Sequence, residues 1–135
     1  MARIVLTDAK VTINSVNLSS FIASVSLSTT NDVVETSAFS STAAKTRIAG
    51  LADNSVTLEF HQDYATSSVE ATIYPLLGST TTIVVSPTST VSATSPSYSF
   101  TALVSEWTPL NGGVGELATA SVTWPVSGAI TKAFA

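Results

Sequence analysis

The chain has 135 residues, the size of one domain, with 44% hydrophobic residues, enough to bury a core. Charged residues make up only 10%, against roughly 25% in ordinary soluble domains, and the net charge is −4. That balance argues against a basic grip on nucleic acid or on an anionic membrane surface, and the lack of cysteine excludes disulfides, thiol nucleophiles and cysteine metal sites.

The dominant signal along the chain is alternation with period two, the mark of strands with one apolar face. At the start, Ile4-Val5-Leu6 is too short an apolar run for a signal-peptide core or a membrane span. The product is therefore expected to be made in the cytoplasm. The first strand is expected at Ala9–Ile13. Phe21, Ala23, Val25 and Leu27 then alternate with Ile22, Ser24, Ser26 and Ser28. Thr30-Asn31-Asp32 has turn chemistry and precedes a strand candidate at Val33–Thr36.

Residues 37–50 are the longest stretch without a firm period, and such a loop is uncommon in a compact domain unless it has a task. Asp53-Asn54 reads as a turn. Val56, Leu58 and Phe60 then alternate with polar neighbours up to His61. From Ser67 to Gly78 the period changes. Val69, Ile73, Leu76 and Leu77 share a helical face, Ser67 with Glu70 makes a capping box, and Gly78 is a stop. Pro75 removes a backbone donor, so the predicted helix over about 67–77 is short and bent or ends early.

Strands follow at Thr81–Ser86 and Pro96–Trp107, separated by the Ser/Thr/Pro-rich segment 87–97, a second loop candidate. Asn111-Gly112-Gly113 carries hairpin-turn chemistry. Val122, Trp124 and Val126 mark the next strand, and Ala129–Lys132 the last. The fold class is all-β dominated. We expect a two-sheet β-sandwich or partly closed barrel with one short flanking helix, in a single domain over residues 1–135.

No catalytic constellation stands out. His61, the lone histidine, shares a strand face with Glu59 and Asp63, but no open metal triad or serine triad of known spacing accompanies it. Asn111-Gly112-Gly113-Val114-Gly115 lacks the Lys-Ser/Thr of a phosphate cradle. Trp107, Trp124, Tyr98 and Phe100 lack the basic groove of a single-strand binder, so they read as core or subunit-interface residues. No enzyme activity, metal or cofactor is expected. The Ser/Thr strand faces are the oddity. A solvent-facing sheet usually carries charge to discourage edge pairing, and its scarcity here points to faces covered by neighbouring subunits.

Two runs then take on meaning together. Val33-Val34-Glu35-Thr36-Ser37-Ala38-Phe39 is followed by Lys45-Thr46-Arg47-Ile48-Ala49-Gly50-Leu51-Ala52-Asp53-Asn54-Ser55-Val56-Thr57-Leu58-Glu59-Phe60. This block resembles the tail tube proteins of long-tailed, siphovirus-type bacteriophages. There, an acidic-Thr-Ser/Thr-x-Phe stretch leads through a loop to a Gly-Leu-x-Asp-x-Ser-Val-x-Leu strand. The opening Asn17–Val25, the short helix, the aromatic strand at 97–107 and a last strand ending near Gly128 follow a similar order.

The resemblance implies self-assembly into rings, commonly of six, stacked into a hollow tube in the virion tail. The expected partners are other copies of the chain, with the tape measure, tail tip and tail terminator proteins. Double-stranded DNA would pass through without specific binding, and no membrane is involved. Residues Phe39, Lys45, Arg47 and Ile48 of the 37–50 loop become candidate subunit contacts, and Asn111, Gly112 and Gly113 candidate hairpin contacts. The competing readings are a head decoration or head–tail connector protein and a carbohydrate- or cell-surface-binding sandwich.

Overall fold

The computed structural model describes residues 5–39, 43–88 and 95–133. Residues 1–4 at the start, 40–42 of the expected 37–50 loop, and 89–94 of the expected 87–97 loop lie outside them. In chain order the elements are β1 (Lys10–Ile13), β2 (Val16–Asn17), a 3₁₀ turn at Ser19–Phe21, β3 (Ile22–Glu35) and β4 (Arg47–His61). Then come α1 (Val69–Ile73), a 3₁₀ turn at Tyr74–Leu76, β5 (Thr80–Ser86), β6 (Ser97–Leu103), β7 (Thr119–Val126) and β8 (Thr131–Ala133).

The chain is mostly β with one short helix, as its alternation predicts. All strand pairs are antiparallel, and the order along the sheet is β2-β1-β5-β6-β7-β4-β3, with β8 paired to β6. β6 joins β7 through one register pair, Ala102↔Val126, while its other end pairs with β8 at Ser97–Ser99. The path therefore folds over at that point and leaves two wings. β1, β5 and β6 contribute Val11, Ile13, Ile83, Val85, Phe100 and Ala102 to the core. β4 and β7 contribute Val56, Leu58, Phe60, Ala120, Val122 and Trp124 to the same cluster. The two expected layers are thus parts of one sheet that does not close into a barrel.

Period two explains which residues are inside. On β4, Val56, Leu58 and Phe60 are fully buried, while Glu59 and His61 are exposed. Their neighbours on β7 fall in phase, with Val122 and Trp124 buried and Ser121 and Thr123 outside. Trp124 packs near Phe60, and Trp107 meets the Phe60 ring edge-on at 5.4 Å between centroids.

Several local expectations need correction. Thr30-Asn31-Asp32 and Asp53-Asn54 do not turn the chain. Both lie within the β3–β4 ladder, where Thr30 pairs with Asp53 and Thr29 with Asn54. The irregularity falls instead between Asn31 and Val33, as a bulge in which Gly50 and Leu51 of β4 oppose Asp32 alone. A side chain at Gly50 would stand 3.1 Å from Asp32 Cβ and 3.2 Å from Val34 Cγ2, so it would have to push those two side chains back by a few tenths of an ångström. The stretch 47–50, read as loop, is strand.

The helix starts later than the capping box predicts. Ser68 is the N-cap, with no side-chain cap bond, and Ser67 sits at a positive φ of 60°. Pro75 converts the next turn to 3₁₀ after Ile73, which changes the phase of the apolar face. Val69 and Ile73 are buried, whereas Leu77 is exposed. Gly78 ends the segment at φ 85° and donates its N–H to the Val104 carbonyl.

Leu58→Ala is expected to cost about 3 kcal/mol of stability through transfer and cavity terms. Leu51→Ala, on the bare half of the same strand, is expected to stay within about 0.5 kcal/mol. Urea unfolding midpoints of the two variants check this contrast.

Candidate assembly surfaces

β3 and β4 share one long ladder but not one environment. From Asn54 to Phe60, alternate β4 residues are buried, and Val25 and Leu27 of β3 are half-buried. From Arg47 to Asp53, and across the ladder from Thr30 to Glu35, both faces are exposed. At about 3.3 Å per residue, the stretch from Thr30 to Glu35 extends about 20 Å beyond the core. This half is an arm.

Backbone pairing continues past the last strand pair. Thr36 N–H donates to the Thr46 carbonyl at 2.8 Å, the two threonine hydroxyls lie 2.8 Å apart, and Thr46 N–H donates to Ser37 Oγ at 3.0 Å. Lys45 Nζ lies 3.7 Å from Glu35 Oε1, an exposed pair of little energetic weight. The apolar content of the arm is its unusual property. Val33 is 68% exposed, Leu51 81%, and Phe39 is fully exposed, with Val34 and Ile48 also open to solvent. The arm carries charges at Asp32, Glu35, Lys45, Arg47 and Asp53 and the bulge at Gly50, yet these apolar side chains stay uncovered between them. The expected contact residues Phe39, Lys45, Arg47 and Ile48 therefore all lie on the arm, the last two as strand residues.

Asn111, Gly112 and Gly113 lie elsewhere, in the β6–β7 connection, residues 104–118. They do not form a tight hairpin between strands. The turn is at Gly113–Glu116, where Glu116 N–H donates to the Gly113 carbonyl, and Thr119 N–H closes the connection on the Asn111 carbonyl. Side chains strap this connection to the body. Glu70 Oε2 accepts from Trp107 Nε1 at 2.7 Å and from Gln62 Nε2 at 3.1 Å. Gln62 Nε2 and the Tyr64 hydroxyl both donate to the Pro109 carbonyl, at 2.9 and 2.6 Å. Trp124 Nε1 donates to the Glu106 carbonyl, and Thr123 N–H to Glu106 Oε1, each at 2.8 Å. Glu70 is thus committed to Trp107 instead of to a capping box. Beyond the strap the connection presents Leu110, Val114 and Leu117 to solvent.

Nothing in the local sequence pattern signals this strap. Its ends are 37 residues apart, and hydrogen bonds of that span have no local signature. His61 ends β4 exposed, opposite Thr119. Among the described residues, no group of three or more His, Asp or Glu could hold a metal ion, and no helix is long and apolar enough to cross a membrane.

Asp63 borders the strap. The Ala65 backbone N–H donates to its Oδ1 at 3.0 Å and holds its carboxyl below the usual aspartate value.

No protein-family model matches the sequence, and no curated protein matches it. Among solved structures, the chain is similar to a chain in the cryo-EM structure of the anti-feeding prophage (AFP) baseplate, 6-fold symmetrised. The TM-score is 0.61 at 11% identity, over 98% of this chain and 97% of that one. The two share a fold over nearly their whole lengths.

Two outcomes test the strap. Glu70→Ala, which strands the Trp107 indole N–H and leaves Gln62 only the Pro109 carbonyl, is expected to lower stability by about 2 kcal/mol, read as a shift in the urea midpoint. For Asp63, a depressed native pKa means stability present above the unfolded carboxylate value and lost as pH falls through the native one. The urea midpoint of the native protein should therefore fall more steeply below pH 4 than that of Asp63→Asn.

Proposed function

We propose that this chain is a structural subunit of a phage-type virion, a tail tube protein that assembles into stacked rings forming the tail conduit. The arm carries this reading. A ladder that projects apolar side chains about 20 Å from the core leaves them bare in a monomer, and becomes a joint when a neighbour covers it. Likeness in fold to a chain of a prophage baseplate supports a place in a tail assembly. The Val33–Phe60 block and the scarcity of charge on the exposed strand faces support the tube among tail parts.

The subunit would work by shape and contact, without catalysis. Its partners would be other copies of itself and the tail proteins at either end of the tube, and its place the virion tail. A net charge of −4 suits a conduit that repels the DNA passing through it. The baseplate likeness favours one second reading, a ring component near the tail tip that forms a single layer and does not stack.

Electron microscopy of the purified protein at rising concentration separates these. Tubes or stacked rings are expected for the tube subunit, and isolated rings for the single-layer component. A protein that stays monomeric alone and when mixed with tail-tip complexes contradicts both.

A further inference from the structure

Asn111 is followed by Gly112, and the pair has a chemistry beyond its turn preference. An asparagine Cγ lies within reach of the next residue's backbone nitrogen, so the two atoms can close a five-membered imide. Glycine in the second position favours closure, because no Cβ crowds the approach and the backbone turns freely. The chain has four other asparagines, Asn14, Asn17, Asn31 and Asn54, and each is followed by a residue with a side chain: Ser15, Leu18, Asp32 and Ser55.

The structure widens the difference. Asn31 and Asn54 are held in the β3–β4 ladder opposite Ala52 and Thr29, and Asn54 is buried with its Nδ2 donating to the Gly128 carbonyl. Asn17 pairs with Thr12, and its Oδ1 accepts from the Ser19 N–H. Asn14 donates its own N–H to the Thr82 carbonyl. At each of these, imide closure has to wait for a local opening. Asn111 and Gly112 are instead exposed, in the β6–β7 connection and outside any helix or strand. Among the described residues, none accepts from the Gly112 N–H. Asn111 Nδ2 reaches Thr119 Oγ1 only at 3.4 Å, at the outer limit of a hydrogen bond. Gly112 has a φ of +153°, a conformation that favours glycine at this position.

The geometry points to Asn111 as a site of spontaneous deamidation, converted through a cyclic imide with Gly112 into aspartate and isoaspartate. Hydroxide removes the Gly112 amide proton, the nitrogen bonds to Asn111 Cγ, and the Cγ–Nδ2 bond breaks. Nδ2 takes a proton from water, which restores the hydroxide, and leaves as ammonia. Water then opens the imide. Cleavage at Cγ gives aspartate, and cleavage at the backbone carbonyl gives isoaspartate, whose main chain runs through the former side chain. Both products lose the Nδ2 donor to Thr119, and isoaspartate lengthens the backbone where the Asn111 carbonyl accepts from the Thr119 N–H. Both also place a new carboxylate beside the exposed Leu110. The inference does not rest on the tube reading, since Asn111 is exposed in the single chain.

The full chain is incubated in mildly alkaline buffer, folded and in guanidinium, and then cleaved after glutamate at acid pH. Cleavage isolates Asn111 in residues 107–116, Asn54 in 36–59 and the other three asparagines in 1–35. In the folded protein, 107–116 is expected to gain about 1 Da, ammonia out and water in, as two peptides separable by chromatography. Its rate should lie within about fivefold of the unfolded rate, with 36–59 and 1–35 at least about tenfold slower than 107–116. One unit higher in pH should speed the reaction about tenfold, because the attacking amide must lose its proton. Asn111→Gln, which would have to close a six-membered ring, should abolish the gain in 107–116. The assignment is overturned if 107–116 stays unmodified in the folded protein while the unfolded chain converts. Equally fast conversion of 36–59 or 1–35 in the folded protein overturns it as well.

Discussion

The structure depends on one ladder serving two environments. β3 and β4 stay hydrogen-bonded from Ile22↔Phe60 to Glu35↔Arg47. Over the first half of that length a core lies behind one face. Over the second half there is none. Backbone hydrogen bonds alone contribute little net stability in water, and an isolated two-stranded hairpin is marginal. The arm persists because its root is anchored by the burial of Val56, Leu58 and Phe60 and by β7 pairing with β4 from Asn54 to His61. The rigid core end preorganises the projecting end, which reduces the ordering cost of any contact the arm makes.

The rest of the fold serves that anchor. β7 brings Trp124 against Phe60, Trp107 meets Phe60 from the β6–β7 connection, and Glu70 on α1 holds Trp107 by its indole N–H. The strap links helix, connection and β4, so the body end of the ladder is braced from three sides. The open seam beside β3 is where this bracing stops, and there an apolar groove lined by Val25, Leu27, Tyr98 and Ile130 remains.

Alternation was a sound guide where a core lies behind one face, as in Val56–Phe60 and Val122–Trp124, because burial enforces period two. It failed at Thr30-Asn31-Asp32 and Asp53-Asn54. Asn and Asp favour turns when local hydrogen bonding decides, but here the cross-strand ladder overrides that preference and a bulge at Gly50 takes up the misfit. The missing period of 37–50 points to a loop with a task, and its contact role comes from the tail tube resemblance. For 47–50 the missing period has a physical cause, since a strand with both faces in solvent has no inside to write into its sequence. The groove and the strap were illegible because each joins residues far apart in the chain, such as Leu27 with Ile130 and Glu70 with Trp107.

The central claim is that the arm is a preformed joint, bare in the monomer and covered in the assembly. Hydrogen–deuterium exchange of dilute monomer against assembled protein tests it most directly. The account predicts slowed exchange concentrated in peptides spanning residues 28–39 and 43–53, with core peptides of β4 and β7 unchanged. Equal exchange of the arm in the two states would contradict it.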